Sequence, residues 1–281
     1  MMGFFRSKAF RRLKRNKIAM AGTICIILMF LVALLAPQIA PHDPFRTDFF
    51  HTLEGPSREH LLGRDDLGRD VLSRIIHGTR ISLNIGFISV AIGLVVGLPV
   101  GAISGYYGGK LDLIVQRLVD IMMAFPGMLL AIVIVSVMGV GLVNAMIAVG
   151  IVSIPTYIRL VRGSVLSVKN KEYVEAARAL GVSDKRIIFR HVVPQCLAPI
   201  IVQSSLQVGT AILWAAGLGF LGLGAQAPIP EWGAMLSQGR GYIRTAHHVT
   251  TYPGLAIMIA VLGFNLLGDG LRDALDPKMD K

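Results

Sequence analysis

The sequence predicts an all-α polytopic membrane protein with about six transmembrane helices and both termini in the cytoplasm. Three observations predict it. The 281 residues are 53% hydrophobic and only 16% charged, with mean hydropathy +0.63, too apolar for a soluble domain of this length. Apolar runs long enough to cross a bilayer recur at 18–36, 81–105, 121–138, 142–158, 197–224 and 252–268. The segments joining these runs carry Lys and Arg unequally: nineteen fall on one side and eight on the other, with Arg117 at the edge of the third run. The positive-inside rule puts the richer side in the cytoplasm. Topology thus accounts for the net charge of +11, and nucleic-acid binding is not expected.

The first run, 18–36, holds 19 uncharged residues, about 28 Å as a helix. It is long for a signal peptide, and no clean small-x-small cleavage site follows the apolar core before Pro37, so a retained span is expected. Pro37, Pro41 and Pro44 then break the helix and open a long outer segment. Between His60 and Arg80 the charges alternate in sign (Arg64, Asp65, Asp66, Arg69, Asp70, Arg74), which suits a mixed-charge helix at the outer surface.

After the second run, Gly108-Gly109-Lys110 has only a superficial likeness to a phosphate-binding loop. Leu111 replaces the required Ser or Thr, and Ser104 stands where the first Gly belongs. Arg117 and Asp120, three apart, can pair across one helical turn. Pro126 and Pro155 sit in the third and fourth runs, where neighbouring helices can satisfy the freed carbonyls and kinks are expected.

The charged stretch 159–194 carries the most informative residues. Tyr173, Ala176, Ala177 and Leu180 recur at helical spacing around Glu175, predicting a short helix with an apolar and small face. Gly181 supplies a stop, and Ser183 with Asp184 can cap the next helix, running toward Pro194. In the fifth run Gln203, Gln207, Thr210 and Trp214 form a polar stripe that should face protein or water rather than lipid. It fits a translocation pathway or polar packing between helices. Downstream, Gly217, Gly219, Gly222 and Gly224 allow close backbone approach or local unwinding. His247-His248 lacks partners at ligand spacing, so no metal site is expected there. Cys25 and Cys196 are expected to be inert packing residues. No nucleophile–base motif is present, so no catalytic residue is assigned.

Glu175-Ala176-Ala177, three residues, Gly181, and then a stretch ending in Pro194 resembles the EAA loop of permease subunits of ATP-binding-cassette (ABC) importers. His191 and Val193 stand where Ile and Leu are usual. Further segments resemble the C-type permeases of the dipeptide, oligopeptide and glutathione branch, with nickel importers as near relatives. They are Leu62-Gly63-Arg64-Asp65 through Asp70, Ala124-Phe125-Pro126-Gly127, Phe220-Leu221-Gly222-Leu223-Gly224-Ala225 with Pro230-Glu231-Trp232-Gly233, and Asn265-Leu266-Leu267-Gly268-Asp269. The likeness covers nearly the whole chain after about Ile18.

The resemblance implies the type I ABC importer permease fold in the bacterial cytoplasmic (inner) membrane, surrounded by membrane lipids. It implies a basic cytoplasmic tail at 1–17, a first helix and outer segment at 18–80, the importer transmembrane domain at 81–268 with its coupling loop at 159–194, and a cytoplasmic tail at 269–281. Coupling to the ATPase would fall to Tyr173, Glu175, Ala176, Ala177, Leu180 and Gly181. Implied partners are a second homologous permease forming a heterodimer, two cytoplasmic ATPase subunits, and an extracytoplasmic binding protein that the outer segment could contact. ATP and magnesium would sit on those partners, with no cofactor on this chain. Short peptides are the implied cargo, with nickel the alternative. A gradient-driven transporter would need intramembrane carboxylates, and only Asp120 is available.

Overall fold

The computed structural model describes residues 16–275, so most of the predicted tail 1–17 and the end of the tail 269–281 lie outside the described residues. The described residues form nine helices of four residues or more and no strand. Five helices are long and apolar enough to cross a membrane, and a bent pair has, taken together, the length and composition of a sixth span. They are α1 (Lys17–Ile39), α2 (Val71–Tyr107), the bent pair α3 (Gly109–Ala124) and α4 (Gly127–Met138), α5 (Leu142–Val168), α7 (Asp184–Phe220) and α9 (His248–Leu275). Two short helices, α6 (Glu172–Ala179) and α8 (Trp232–Gly239), connect them.

Spanning helices outrun the apolar stretches that predict them, except that α7 stops at Phe220, four residues short of the end of its run at 224. α1 begins where the Asn16 side chain accepts the Ile18 and Ala19 N–H groups, at 3.1 and 3.2 Å. It passes through Pro37 to Ile39, where a break was expected. A proline this near the C-terminal end removes only one hydrogen bond, and the turn still closes through the Ala40 N–H, which donates to the Ala36 carbonyl at 3.1 Å. α2 has 37 residues, about 55 Å long, and starts ten residues before the apolar run. Asp70 accepts the Ser73 N–H at 2.7 Å as its cap. Its last turn is closed by Gly108 and Gly109 (φ +67° and +58°), so the Gly-Gly-Lys sequence is a corner between helices.

Close backbone approach sets the packing. α2 and α5 make the most extensive contact, along a row of α2 glycines. A Cβ at Gly101 would stand 2.6 Å from the Ile158 carbonyl oxygen. α1 meets α9 the same way: a Cβ at Gly22 would lie 2.7 Å from Leu266 Cβ. Asn16 also donates to Asp273 at 3.1 Å, placing the start of α1 and the end of α9 at one end of the bundle. Large apolar side chains cover the outside, Leu34 on α1 and Val137 on α4 being 74% and 84% exposed, a surface suited to lipid or another subunit and not to water.

Two expectations need correction here. Pro126 does more than kink the third span: α3 and α4 meet at 92°. Proline removes an N–H and pushes Phe125 into an extended conformation (φ −87°, ψ 138°), which ends α3 outright. Pro155, by contrast, stays buried inside a continuous α5. The charged segment 60–70 is no surface helix. It is a folded loop with an antiparallel bridge between Arg64 and Asp70 and left-handed Gly63 and Gly68. Asp65, Arg69 and Arg74 are nearly inaccessible. Asp65 accepts from Arg69 Nε at 2.7 Å and lies 3.3 Å from Arg74 Nε, while Gln238 of α8 accepts from Arg69 at 3.1 Å. Charges this deep persist because each faces an opposite charge or a hydrogen-bond partner.

Candidate functional site

The site is built around α6, eight residues joining α5 to α7. Glu172 and Glu175 occupy its first turn and Arg178 its last, the order that complements the helix dipole. Gly181 (φ +75°) ends it: the Val182 N–H bonds to the Ala177 carbonyl at 3.1 Å and the Gly181 N–H to that of Arg178 at 3.0 Å. This is the Schellman arrangement, which requires a left-handed residue where the sequence offers glycine.

α6 has two faces. Val174 and Ala177 are buried at 0% and 7% exposure, packed among Val165, Ile187, Ile188 and Val192 of α5 and α7. Tyr173, Glu175, Ala176 and Leu180 point away, with Leu180 83% exposed. The single apolar face expected from spacing is therefore split. Ala177 belongs with Val174 on the seated side, because the two alanines are adjacent and lie about 100° apart on the helix. Partial burial holds the Tyr173 phenol above its ordinary pKa.

Polar contacts tie this loop to the end of α2 through Tyr106, which sequence reasoning missed. Its hydroxyl donates to Asp184 at 2.8 Å and accepts from Arg178 at 3.4 Å, and the Arg178 guanidinium lies 5.7 Å from its ring centre. Lys169 donates to the Gly105 and Tyr106 carbonyls at 2.9 and 3.3 Å, satisfying the C-terminal end of α2. Ser183 occupies the cap position of α7, but its side chain makes no cap bond, and Asp184 spends its carboxylate on Tyr106. The regular helix expected toward Pro194 is absent as well. The chain passes through a π turn at Ile187–Val192 and a 3-10 turn at Val193–Cys196 before the α-helix resumes at Leu197, because Pro194 cannot donate in a regular ladder.

Two ion pairs clamp α3 onto α5 beside this loop. Asp112 accepts a two-pronged contact from Arg162, both bonds 2.6 Å. Asp120 accepts from Arg159 at 2.6 Å, not from Arg117 as expected. Arg117, on the same helix as Asp120, is exposed and makes no such bond.

On α7, Gln203 and Gln207 come together, Gln203 donating to Gln207 at 3.5 Å, and Gln207 is buried. Thr210 turns back to the Leu206 carbonyl at 3.3 Å. Trp214 is set apart: its ring packs on Gly127 and Met128 at the start of α4. The two histidines also diverge. His248 is buried with Nε2 3.0 Å from the Arg64 carbonyl, while His247 is exposed.

Residues 97–281 match the family described as binding-protein-dependent transport system inner membrane component. The chain belongs to that family. Residues 5–56 of the permease match a second description, the N-terminal TM domain of oligopeptide transport permease C. The permease is 52% identical over 272 residues to the dipeptide transport system permease protein DppC of Alkalihalophilus pseudofirmus, covering 97% of this chain and 90% of that one. It is 48% identical over 270 residues to the glutathione transport system permease protein GsiD of Pectobacterium atrosepticum, with 96% and 90% covered. It is 50% identical over 271 residues to the di/tripeptide transport system permease protein DppC of Pseudomonas aeruginosa, with 94% and 89% covered. In structure it is similar to a chain of the MetNI methionine ABC transporter in an inward-facing conformation. That match has a TM-score of 0.59 at 22% identity, over 72% of this chain and 97% of the other, and it carries the fold alone. The permease is thus a multi-pass transport component of the inner membrane.

Proposed function

We propose that this permease forms half of the translocation pathway for short peptides (dipeptide, oligopeptide or glutathione) in an ABC importer. The names of its relatives support the peptide class. In this reading it pairs with a second, homologous permease, receives cargo from an extracytoplasmic binding protein, and is driven by two cytoplasmic ATPase subunits. ATP and magnesium are held by those subunits and not by this chain. The bundle end bearing α6 faces the cytoplasm.

One observation carries the coupling role: α6 is seated on the bundle by Val174 and Ala177 while Tyr173, Ala176 and Leu180 stand exposed on its far side. An exposed leucine on a short, fixed helix is suited to a hydrophobic groove on a partner. A push on that face reaches α5 and α7 through the Val174 cluster, and α2 through Arg178 and Tyr106. Rigid-body motion follows, because packed interfaces shift between discrete arrangements. Gln203 and Gln207 are assigned to the pathway; Thr210 and Trp214 continue the same helix toward α4.

Glu175→Arg and Gly181→Pro test this in the assembled importer reconstituted in vesicles. Both should abolish ATP-dependent uptake of a labelled dipeptide while the subunits still insert. Normal uptake in both variants, at normal expression, refutes the coupling role. Uptake of nickel ions in place of peptides would refute the cargo class and leave the coupling role standing.

A further inference from the structure

The segment joining α1 to α2 brings three potential metal ligands together. His42 lies just past α1, His60 lies in the folded loop, and Asp70 caps α2. One ligand atom from each lies within 4.8 Å of the others. The two imidazole rings stack with centroids 4.4 Å apart. His60 Nδ1 stands 2.8 Å from Asp70 Oδ1, and His42 Nδ1 stands 3.8 Å from the same oxygen.

Hydrogen bonding leaves this cluster incomplete. The Ser73 N–H takes Asp70 Oδ2 at 2.7 Å, and His60 Nδ1 takes Oδ1. His42 Nδ1 is buried and has no hydrogen-bond partner. At 3.8 Å it is too far from Asp70 to hydrogen-bond, yet a buried polar nitrogen without a partner is costly. A tetrahedral ion with bonds of about 2.0–2.2 Å needs its ligand atoms roughly 3.3 Å apart. The two contacts to Asp70 Oδ1 bracket that spacing, and the two histidine ligand atoms lie within 4.8 Å of each other.

The backbone that carries these ligands is also held in place. Asp70 is fixed by its capping bond, the His42 backbone N–H donates to Ser73 Oγ at 3.0 Å, and the His60 N–H donates to Ser57 Oγ at 3.0 Å. The three residues are among those that line a cavity of about 520 Å³. Two imidazoles and one carboxylate suit a borderline transition ion; magnesium and calcium prefer shells of oxygen.

The geometry points to a divalent transition-metal site at His42, His60 and Asp70, of the class that zinc probes. The ion joins the start of the segment, its middle loop and the cap of α2. This site is independent of the peptide reading, and its test involves no transport.

The test uses the assembled importer, purified without a histidine tag, stripped with chelator and titrated with zinc sulfate against a competing chelator. Wild type should bind one zinc ion per copy of this permease. His42→Ala should weaken it at least tenfold while the stripped protein still folds, losing only the stacking on His60, since His42 Nδ1 has no hydrogen-bond partner to forfeit. Asp70→Asn can keep the cap and the His60 contact but lacks the charge, and should weaken zinc similarly. His247→Ala, at an exposed histidine, should change nothing. Equal zinc affinity in wild type and His42→Ala, or no stoichiometric binding in wild type, overturns the site.

Discussion

Replacing Val174 by Ala should loosen α6 without altering its exposed face. Val174 is fully buried between α6 and the α5–α7 end, outside the bilayer-crossing runs, so water is the relevant reference for its burial. The substitution deletes two methyl groups, about 1.6 kcal/mol at ~0.8 kcal/mol per buried carbon. A residual cavity raises the cost to about 2 kcal/mol, because the packed neighbours relax only partly. If α6 opens as a local unit, amides of residues 174–182 should exchange roughly 30-fold faster with deuterium, the factor corresponding to about 2 kcal/mol. The assay is hydrogen exchange by mass spectrometry on the permease in nanodiscs, without the ATPase subunits. Leu180→Ala is the matched control. Leu180 is 83% exposed, so its truncation should leave exchange of the isolated permease within about twofold while weakening ATPase docking. Unchanged exchange in Val174→Ala, or equal acceleration in both variants, would refute the two-faced reading of α6.

Gly101→Leu should prevent α2 and α5 from closing, since even a Cβ there would meet the Ile158 carbonyl at 2.6 Å; loss of the assembled complex in detergent would show it, and normal recovery would contradict it. Asp112→Ala and Arg162→Ala should each lower thermal stability, and the double variant should be little worse than either; additive losses would mean that the pair is not coupled, its expected coupling being about 1 kcal/mol. Gln207→Arg should impair uptake with assembly intact, whereas failed assembly would make the Gln203–Gln207 pair a packing element. Asp48 gives a pH prediction. Hydrogen bonds from His51 and Arg64 hold its pKa below the usual carboxylate range, so its stabilising contribution is present above about pH 3.9 and fades as pH falls through the lowered value. Pepsin cleavage at the exposed Phe49–Phe50 bond should therefore speed up in acid for wild type relative to Asp48→Asn, and an unchanging ratio would contradict the linkage.

What the sequence determined by itself follows from local periodicity and composition. Apolar runs marked the five spanning helices and the bent pair, because a helix is the segment that satisfies its own backbone in lipid. Gly181 marked the end of α6, because a left-handed residue admits few alternatives there. Spacing placed Tyr173, Ala176 and Leu180 on one face. Tertiary structure decided what depends on residues distant in the chain. Ala177 turns inward because Ile187 and Ile188 supply its pocket, which spacing within α6 does not encode. Asp120 takes Arg159, 39 positions away, over Arg117 on its own helix. Alternating charges at 64–74 read as a solvated helix, since sequence shows their signs but not the loop that buries them. His42, His60 and Asp70 are 18 and 10 residues apart in sequence, and only the fold of that loop gathers them. Helical period and hydropathy are properties of a segment; ion pairs, buried faces and ligand clusters are properties of the contacts between segments, fixed when backbones approach at Gly22 and Gly101.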